Sequence, residues 1–187
     1  MKFPSTRTLV LAGGAVAAAA LARNAVRSAI STLQPIAALD LRRYLGDWFE
    51  IARYPNRFER QCAGGASAHY ALLADGQVQV SNRCRRADGS VEQAVGAARQ
   101  CGGPQSARLQ VRFAPAWLSL VPLVWADYWV IDLDPDYTLA AVSEPRRDYL
   151  WILARTPEVE PAAYQALLAR LVAQGFDLER LVPTPQP

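Results

Sequence analysis

Lysine, histidine and methionine are almost missing from this chain: 187 residues hold one Lys (Lys2), one His (His69) and one Met. A single His, and three Cys at positions 62, 84 and 101, give no metal-spaced His/Cys set. Neither a Gly-rich phosphate loop nor a nucleophile elbow occurs. The lone Lys lies in the N-terminal segment, which excludes Lys chemistry from a mature form. No basic tract exists either. The basic residues are almost all Arg with acids interspersed, and the net charge is +3, of which Lys2 and Arg7 supply two. Nucleic acid is therefore not an expected partner. No metal or cofactor is expected.

Long apolar runs are scarce as well. The longest, Thr8 to Ala22, is about fifteen residues, short of the ~20 that span a bilayer. With Lys2 and Arg7 before it and Ala20-Leu21-Ala22 closing it, residues 1–22 read as an export signal. The alternative is an uncleaved anchor, since Arg23 and Arg27 follow. The length suits one domain with a sizeable core. Residues 23–38 read as an approach and linker, 39–182 as the domain, and 183–187 as a Pro-rich tail, extended or disordered.

What fills the domain is short alternating strands and tight turns. Asp40 caps a brief turn through Leu41 and Tyr44, and Gly46 releases the chain into a first strand, about Trp48 to Tyr54. Strands follow at about 67–73, 77–84, 90–98, 109–113, 128–133, 137–142 and 149–155. Asp75-Gly76 and Asp88-Gly89 supply hairpin turns. Leu109, Val111 and Phe113 alternate with Arg108, Gln110 and Arg112, the cleanest period-2 pattern in the chain. A helix then opens on Pro161, carries Tyr164, Leu167, Leu168, Leu171 and Val172 as one apolar stripe, and stops at Gly175. The expected fold is all-β: an eight-stranded antiparallel up-and-down barrel with a C-terminal helix packed outside.

Two stretches at opposite ends carry the most information. Gly46-Asp47-Trp48 opens the first strand, and Leu150-Trp151-Ile152-Leu153-Ala154-Arg155 closes the last. A closed barrel needs a plug, which an indole crossed by a guanidinium supplies. This pairing resembles the lipocalin family, whose signature is Gly-x-Trp on the first strand and Arg on the last. Asp127-Tyr128-Trp129-Val130-Ile131 is similar to the family's middle motif. The stretches Tyr44 to Arg53 and Asp148 to Leu153 resemble the bacterial lipocalin and apolipoprotein D branch. Several bacterial lipocalins are outer-membrane lipoproteins. This chain has no Cys in its N-terminal segment, so a soluble periplasmic or secreted form, membrane-associated in one reading, is expected instead.

Counting strand reversals in such a barrel puts Cys62 and Cys84 at the mouth and Cys101 at the base. Cys62–Cys84 is the expected disulfide, with Cys101 free; three reduced, buried thiols are the alternative. Side-chain parity, with Arg155 inward, turns Leu153, Trp151 and Tyr149 inward. It does the same for Tyr70, Ala68 and Leu72, for Val78, Val80 and Asn82, and for Glu50 alongside Trp48. In the apolipoprotein D branch, residues matching Tyr70, Asn82, Arg86 and Trp151 line the ligand pocket. The candidate ligand set is thus Glu50, Tyr70, Val80, Asn82, Arg86, Phe113, Tyr128 and Trp151. Glu50 meets a ligand head group or forms an internal pair. His69 falls on the outer face.

Arg53, Arg57, Arg60, Arg83, Arg85, Arg86, Arg146 and Arg147 read as a basic collar at the mouth. The apolar loop Pro115 to Trp125 either folds in as a lid or meets a membrane surface through Trp117, Leu118 and Leu120. The resemblance implies a non-enzymatic carrier of a small hydrophobic ligand (a fatty acid, lysophospholipid or similar lipid) held in a long apolar cup, for envelope lipid storage or transport. Two alternatives stand beside it. One is a membrane-docked hydrolase or isomerase acting on that lipid through Glu50. The other is an anchored envelope interaction protein with a filled core.

Overall fold

The computed structural model describes residues 32–186, with Leu33 opening the compact unit. The expected signal segment lies outside the described residues. The short helix α1 (Leu41–Tyr44) is capped by the Asp40 carboxylate, which accepts the amides of Arg42 and Arg43 at 3.0 and 3.4 Å. Eight antiparallel strands follow: β1 (Gly46–Arg53), β2 (Gly64–Leu72), β3 (Val78–Arg85), β4 (Val91–Gln100), β5 (Arg108–Arg112), β6 (Ala126–Leu133), β7 (Leu139–Ser143) and β8 (Leu150–Ala154). Each pairs with the next, and β1 pairs with both β8 and β2, so the sheet closes on itself. The Asp-Gly turns appear as expected, with Gly76 and Gly89 at φ +82° and +84°.

Period-2 alternation sorts the walls into two cores. Inward residues Trp48, Tyr70, Val78, Val80, Leu109, Val130, Val142 and Leu153 make one cluster. Outward Ile131, Leu139, Leu150 and Ile152 join Leu167 and Leu171 of the helix α2 (Pro161–Ala173) in the other. Burying each of those two leucines contributes about 1.5–3 kcal/mol, and Arg170 locks the helix to Asp132 with a two-pronged ion pair at 2.7 and 2.8 Å. Val172 departs from the expected stripe. It is 55% exposed, because the helix presents only its Leu167–Leu171 edge to the wall. Leu33 and Leu39, on the approach segment, are buried, and Ile36 donates its amide to Val130.

β-bulges interrupt three strands. The first lies between Glu50 and Ala52, the second between Gly64 and Ser67, and the third between Val130 and Asp132. The first bends β1 away from β2, whose mutual ladder ends at the Phe49–Ser67 pair. The chain's end fills the gap. A ninth short strand, β9 (Val182–Pro183), pairs with Ala52 and Arg53, and Thr184 donates its amide to Ile51. On the other side of the gap, Gly65 donates to the Pro185 carbonyl at 2.7 Å. The tail is therefore extended and docked, with Thr184 buried. Gly64 makes the approach feasible, since a Cβ there would lie 2.7 Å from the Pro185 oxygen.

Candidate functional site

The barrel is sealed at its base. The Arg155 guanidinium lies 4.0 Å over the Trp48 ring and donates to three backbone carbonyls: Asp47 at 2.7 Å, Arg43 at 2.8 Å and Tyr137 at 3.2 Å. The Trp48 indole N–H donates to the Tyr44 carbonyl at 2.8 Å. Gly46 must be glycine here. Its φ is +92°, and a Cβ would stand 3.4 Å from the Arg155 Nη1. One planar cation thereby ties α1, β1, the β6–β7 turn and the end of β8 into a single floor plate.

Above the plate, three phenols span the interior. The Tyr128 hydroxyl lies 3.0 Å from that of Tyr44 and 2.8 Å from that of Tyr70. Burial raises all three above the ordinary phenol range, Tyr70 to about 12, so they stay neutral donors and acceptors. Among them, and Leu41, Val78, Ala98, Leu109 and Val111, the remaining void is only about 10 Å³, at the threshold for one water. The expected long apolar cup is thus corrected. Tyrosine side chains fill its lower half, and the floor lies at their hydroxyl layer. The larger groove, about 490 Å³, lies on the outer wall between α2 and the β6–β7 turn, lined by Ala163, Ala166, Arg170 and Asp134.

The upper half differs. Asn82, Ala94, Phe113 and Ala126 point inward by register from β3, β4, the end of β5 and β6, and all four are exposed. Trp151 on β8 stands across from them, half-buried and stacked on Tyr149 with ring centroids 5.7 Å apart. Tyr70 and Val80 are buried at floor level and Tyr128 is half-buried. Seven of the eight candidate residues accordingly share the interior. Arg86 does not. It sits in the β3–β4 turn, exposed and paired with Glu92.

Glu50 forms an internal pair rather than an open head-group contact. It accepts from Arg53 Nη1 at 2.8 Å and from the Thr184 hydroxyl at 2.5 Å. Burial, helped by the neighbouring Glu59 carboxylate, pushes the Glu50 carboxyl up to about 8. Glu59 belongs to the β1–β2 loop, accepts the Trp151 indole N–H at 3.1 Å and lies 3.5 Å from Arg53. Arg53, Glu59, Thr184 and Tyr44 are the interior residues that sequence parity did not supply. The bulge turned Arg53 inward, and Thr184 arrives with the tail.

At the mouth the Cys62–Cys84 disulfide joins the β1–β2 loop to β3, with Cα atoms 5.5 Å apart, and Cys101 is free. The collar is thinner than expected. Arg53 lies inside, and Arg147 points at the C-terminal end of α2, donating to Gln174 at 2.9 Å. The β5–β6 loop is no lid. It makes two short 3₁₀ turns, Ala116–Leu118 and Pro122–Val124. Trp117, Leu120 and Leu123 are 79, 93 and 95% exposed, while Leu118 is half-buried. His69 is on the outer face, 2.6 Å from Asp47.

Residues 39–186 match a family model described as a lipocalin-like domain. The chain is 38% identical to temperature-induced lipocalin-1 of Arabidopsis thaliana, over 82% of this chain and 83% of that protein. It is 40% identical to outer membrane lipoprotein Blc of Escherichia coli K12 over 79% and 80%. Apolipoprotein D of Mus musculus is 32% identical over 79% and 77%. Among solved structures, insecticyanin of the tobacco hornworm Manduca sexta superposes with a TM-score of 0.63 at 19% identity, covering 83% of this chain and 85% of that one. The cockroach allergen Per a 4 does so with a TM-score of 0.63 at 17%, covering 84% and 94%.

Proposed function

The chain belongs to the lipocalin family, and from that premise we propose that it carries an amphipathic lipid, a fatty acid or lysophospholipid, in the upper half of its barrel. One observation carries this reading: above the tyrosine floor, the inward faces of β3 to β6 stay open while the base is sealed. Water at those faces gains by being replaced with acyl methylenes, about 0.8 kcal/mol for each one buried. Phe113 and Trp151 supply apolar walls. Asn82, above the Tyr70 and Tyr128 layer, supplies a polar group that orients a ligand. Arg86, at the rim, meets the polar end of a ligand whose chain points down.

The same reading places the protein outside the cytoplasm, exported by its N-terminal segment, with the β5–β6 loop approaching a bilayer to collect the lipid. Carriage proceeds without turnover. Glu50 is committed to Arg53 and Thr184, and it serves the wall rather than acid–base chemistry.

Native mass spectrometry of protein purified from its own cells tests the proposal. A retained lipid is expected, lost in Ala94→Trp, which fills the open half. A bare protein that also takes up no added fatty acid or lysophospholipid would overturn it.

A further inference from the structure

The foot of the β5–β6 loop holds a cluster that the cup does not use. The Trp125 indole carries two guanidiniums, Arg99 at 4.1 Å and Arg112 at 5.2 Å from the ring centre. Two like charges on one ring repel. Neither is paired with a carboxylate among the described residues. Arg99 spends its Nε and Nη2 on the Gln110 amide oxygen, at 3.3 and 2.9 Å. Arg112 is only 8% exposed, donates to the Ala114 carbonyl, and has a buried Nε with no acceptor at all. Asp127, the register partner of Gln110 on β6, receives the Gln110 amide at 3.4 Å. A half-desolvated double positive charge without a counterion is incomplete.

The loop above it is tied by its own hydrogen bonds and is entirely without charge. Trp125 donates its indole N–H to Ser119 at 2.8 Å, and successive turn hydrogen bonds run from Pro115 to Trp125. This finger holds Trp117, Leu120 and Leu123 out in solvent, with the paired arginines at its root. Apolar tips followed by cations match the layering of a bilayer surface, where acyl chains lie beneath phosphates. Arg forks suit phosphodiester oxygens particularly well.

We infer that Arg99, backed by Arg112 and braced by Trp125, is a phosphate seat by which the finger docks on bilayers rich in anionic phospholipid. The inference rests on the bilayer approach proposed above and adds its lipid class. The tip residues anchor the finger in any bilayer. The seat discriminates, because one surface cation adds about fivefold in affinity for an anionic membrane.

Co-flotation with vesicles of phosphatidylcholine alone, and of phosphatidylcholine mixed with phosphatidylglycerol, tests this. Wild type should prefer the mixed vesicles, and added salt should reduce that preference. Arg99→Gln should lower binding to the mixed vesicles about fivefold, and Arg99→Gln with Arg112→Gln at least as far, leaving binding to pure phosphatidylcholine unchanged. Arg42→Gln, a charge removed near the closed end, is expected to have little effect. If Arg112→Gln fails to fold, the exposed Arg99→Gln decides alone. Arg99→Gln floating with mixed vesicles as well as wild type, or Arg42→Gln losing as much, overturns the seat. Loss with Trp117→Ser/Leu120→Ser alone would keep the bilayer reading while discarding the seat. No flotation of wild type on either vesicle would overturn both.

Discussion

Arg155 shows how much one side chain can hold. Its fork satisfies carbonyls from three separate segments while its plane covers Trp48. Hydrogen bonds from a charged donor contribute about 1.5–3 kcal/mol and a cation–π contact about 0.5–2, and the three carbonyls share one donor group. Arg155→Ala should therefore lower stability by about 2–4 kcal/mol in urea unfolding. Arg155→Lys should recover less than half, because a point charge cannot reach three carbonyls at once. Glu50 makes a second prediction at this scale. Its folded-state carboxyl, pushed up to about 8 by burial and Glu59, binds a proton that the unfolded chain releases near pH 4.5. Between those values the folded state holds more protons, so this group's contribution to stability falls as pH rises from about 5 to 8. Glu50→Gln should flatten that part of the profile. Urea midpoints of the two proteins at pH 5 and pH 8 measure it, and an equal change in both would refute the assignment.

Among the elements, the tail has the largest effect for its length. β1 and β2 part company above Phe49, and residues 182–185 hydrogen-bond to both sides of the opening. Gly64→Ala places a methyl group against the Pro185 oxygen, so the tail should shift and the seam loosen. Hydrogen exchange is expected to speed up at Gly65 and along the upper part of β2, with little change at the Trp48 base. Uniform protection would show that the strands close without the tail. The strands themselves were legible in the sequence, because period-2 burial and Asp-Gly turns are local signals. The seam was not. A β-bulge at Glu50–Ala52 leaves no compositional mark, yet it turns Arg53 from the mouth into the interior. The tail's Pro residues signal only an extended chain, and its docking depends on a gap created 130 residues earlier. Thr184 consequently carried no sign of its contact with Glu50.

For the molecule as a whole, barrel, seal and disulfide could be read from motif order and strand counting, whereas the depth of the cup could not. Depth depends on where three tyrosine side chains from α1, β2 and β6 meet, and parity assigns each a face without giving its reach. From the Val80 level at the floor to Cys84 near the rim is four residues, about 13 Å along the strand. Tilt of the strands shortens the vertical distance further. Such a cup takes part of an acyl chain and leaves the remainder at the mouth. Affinity for saturated fatty acids should therefore climb steeply with chain length at first, by about 0.8 kcal/mol per buried methylene, or roughly fourfold. It should then level off once the chain reaches the tyrosine layer. Tyr128→Ala removes the central phenol and opens the void of about 10 Å³ beneath it, so the plateau should move to longer chains in that variant. Calorimetric titration across a homologous series reads both. A wild-type affinity that keeps rising through the longest acids would mean the phenols swing aside for ligand, and that the floor is a gate instead of a wall.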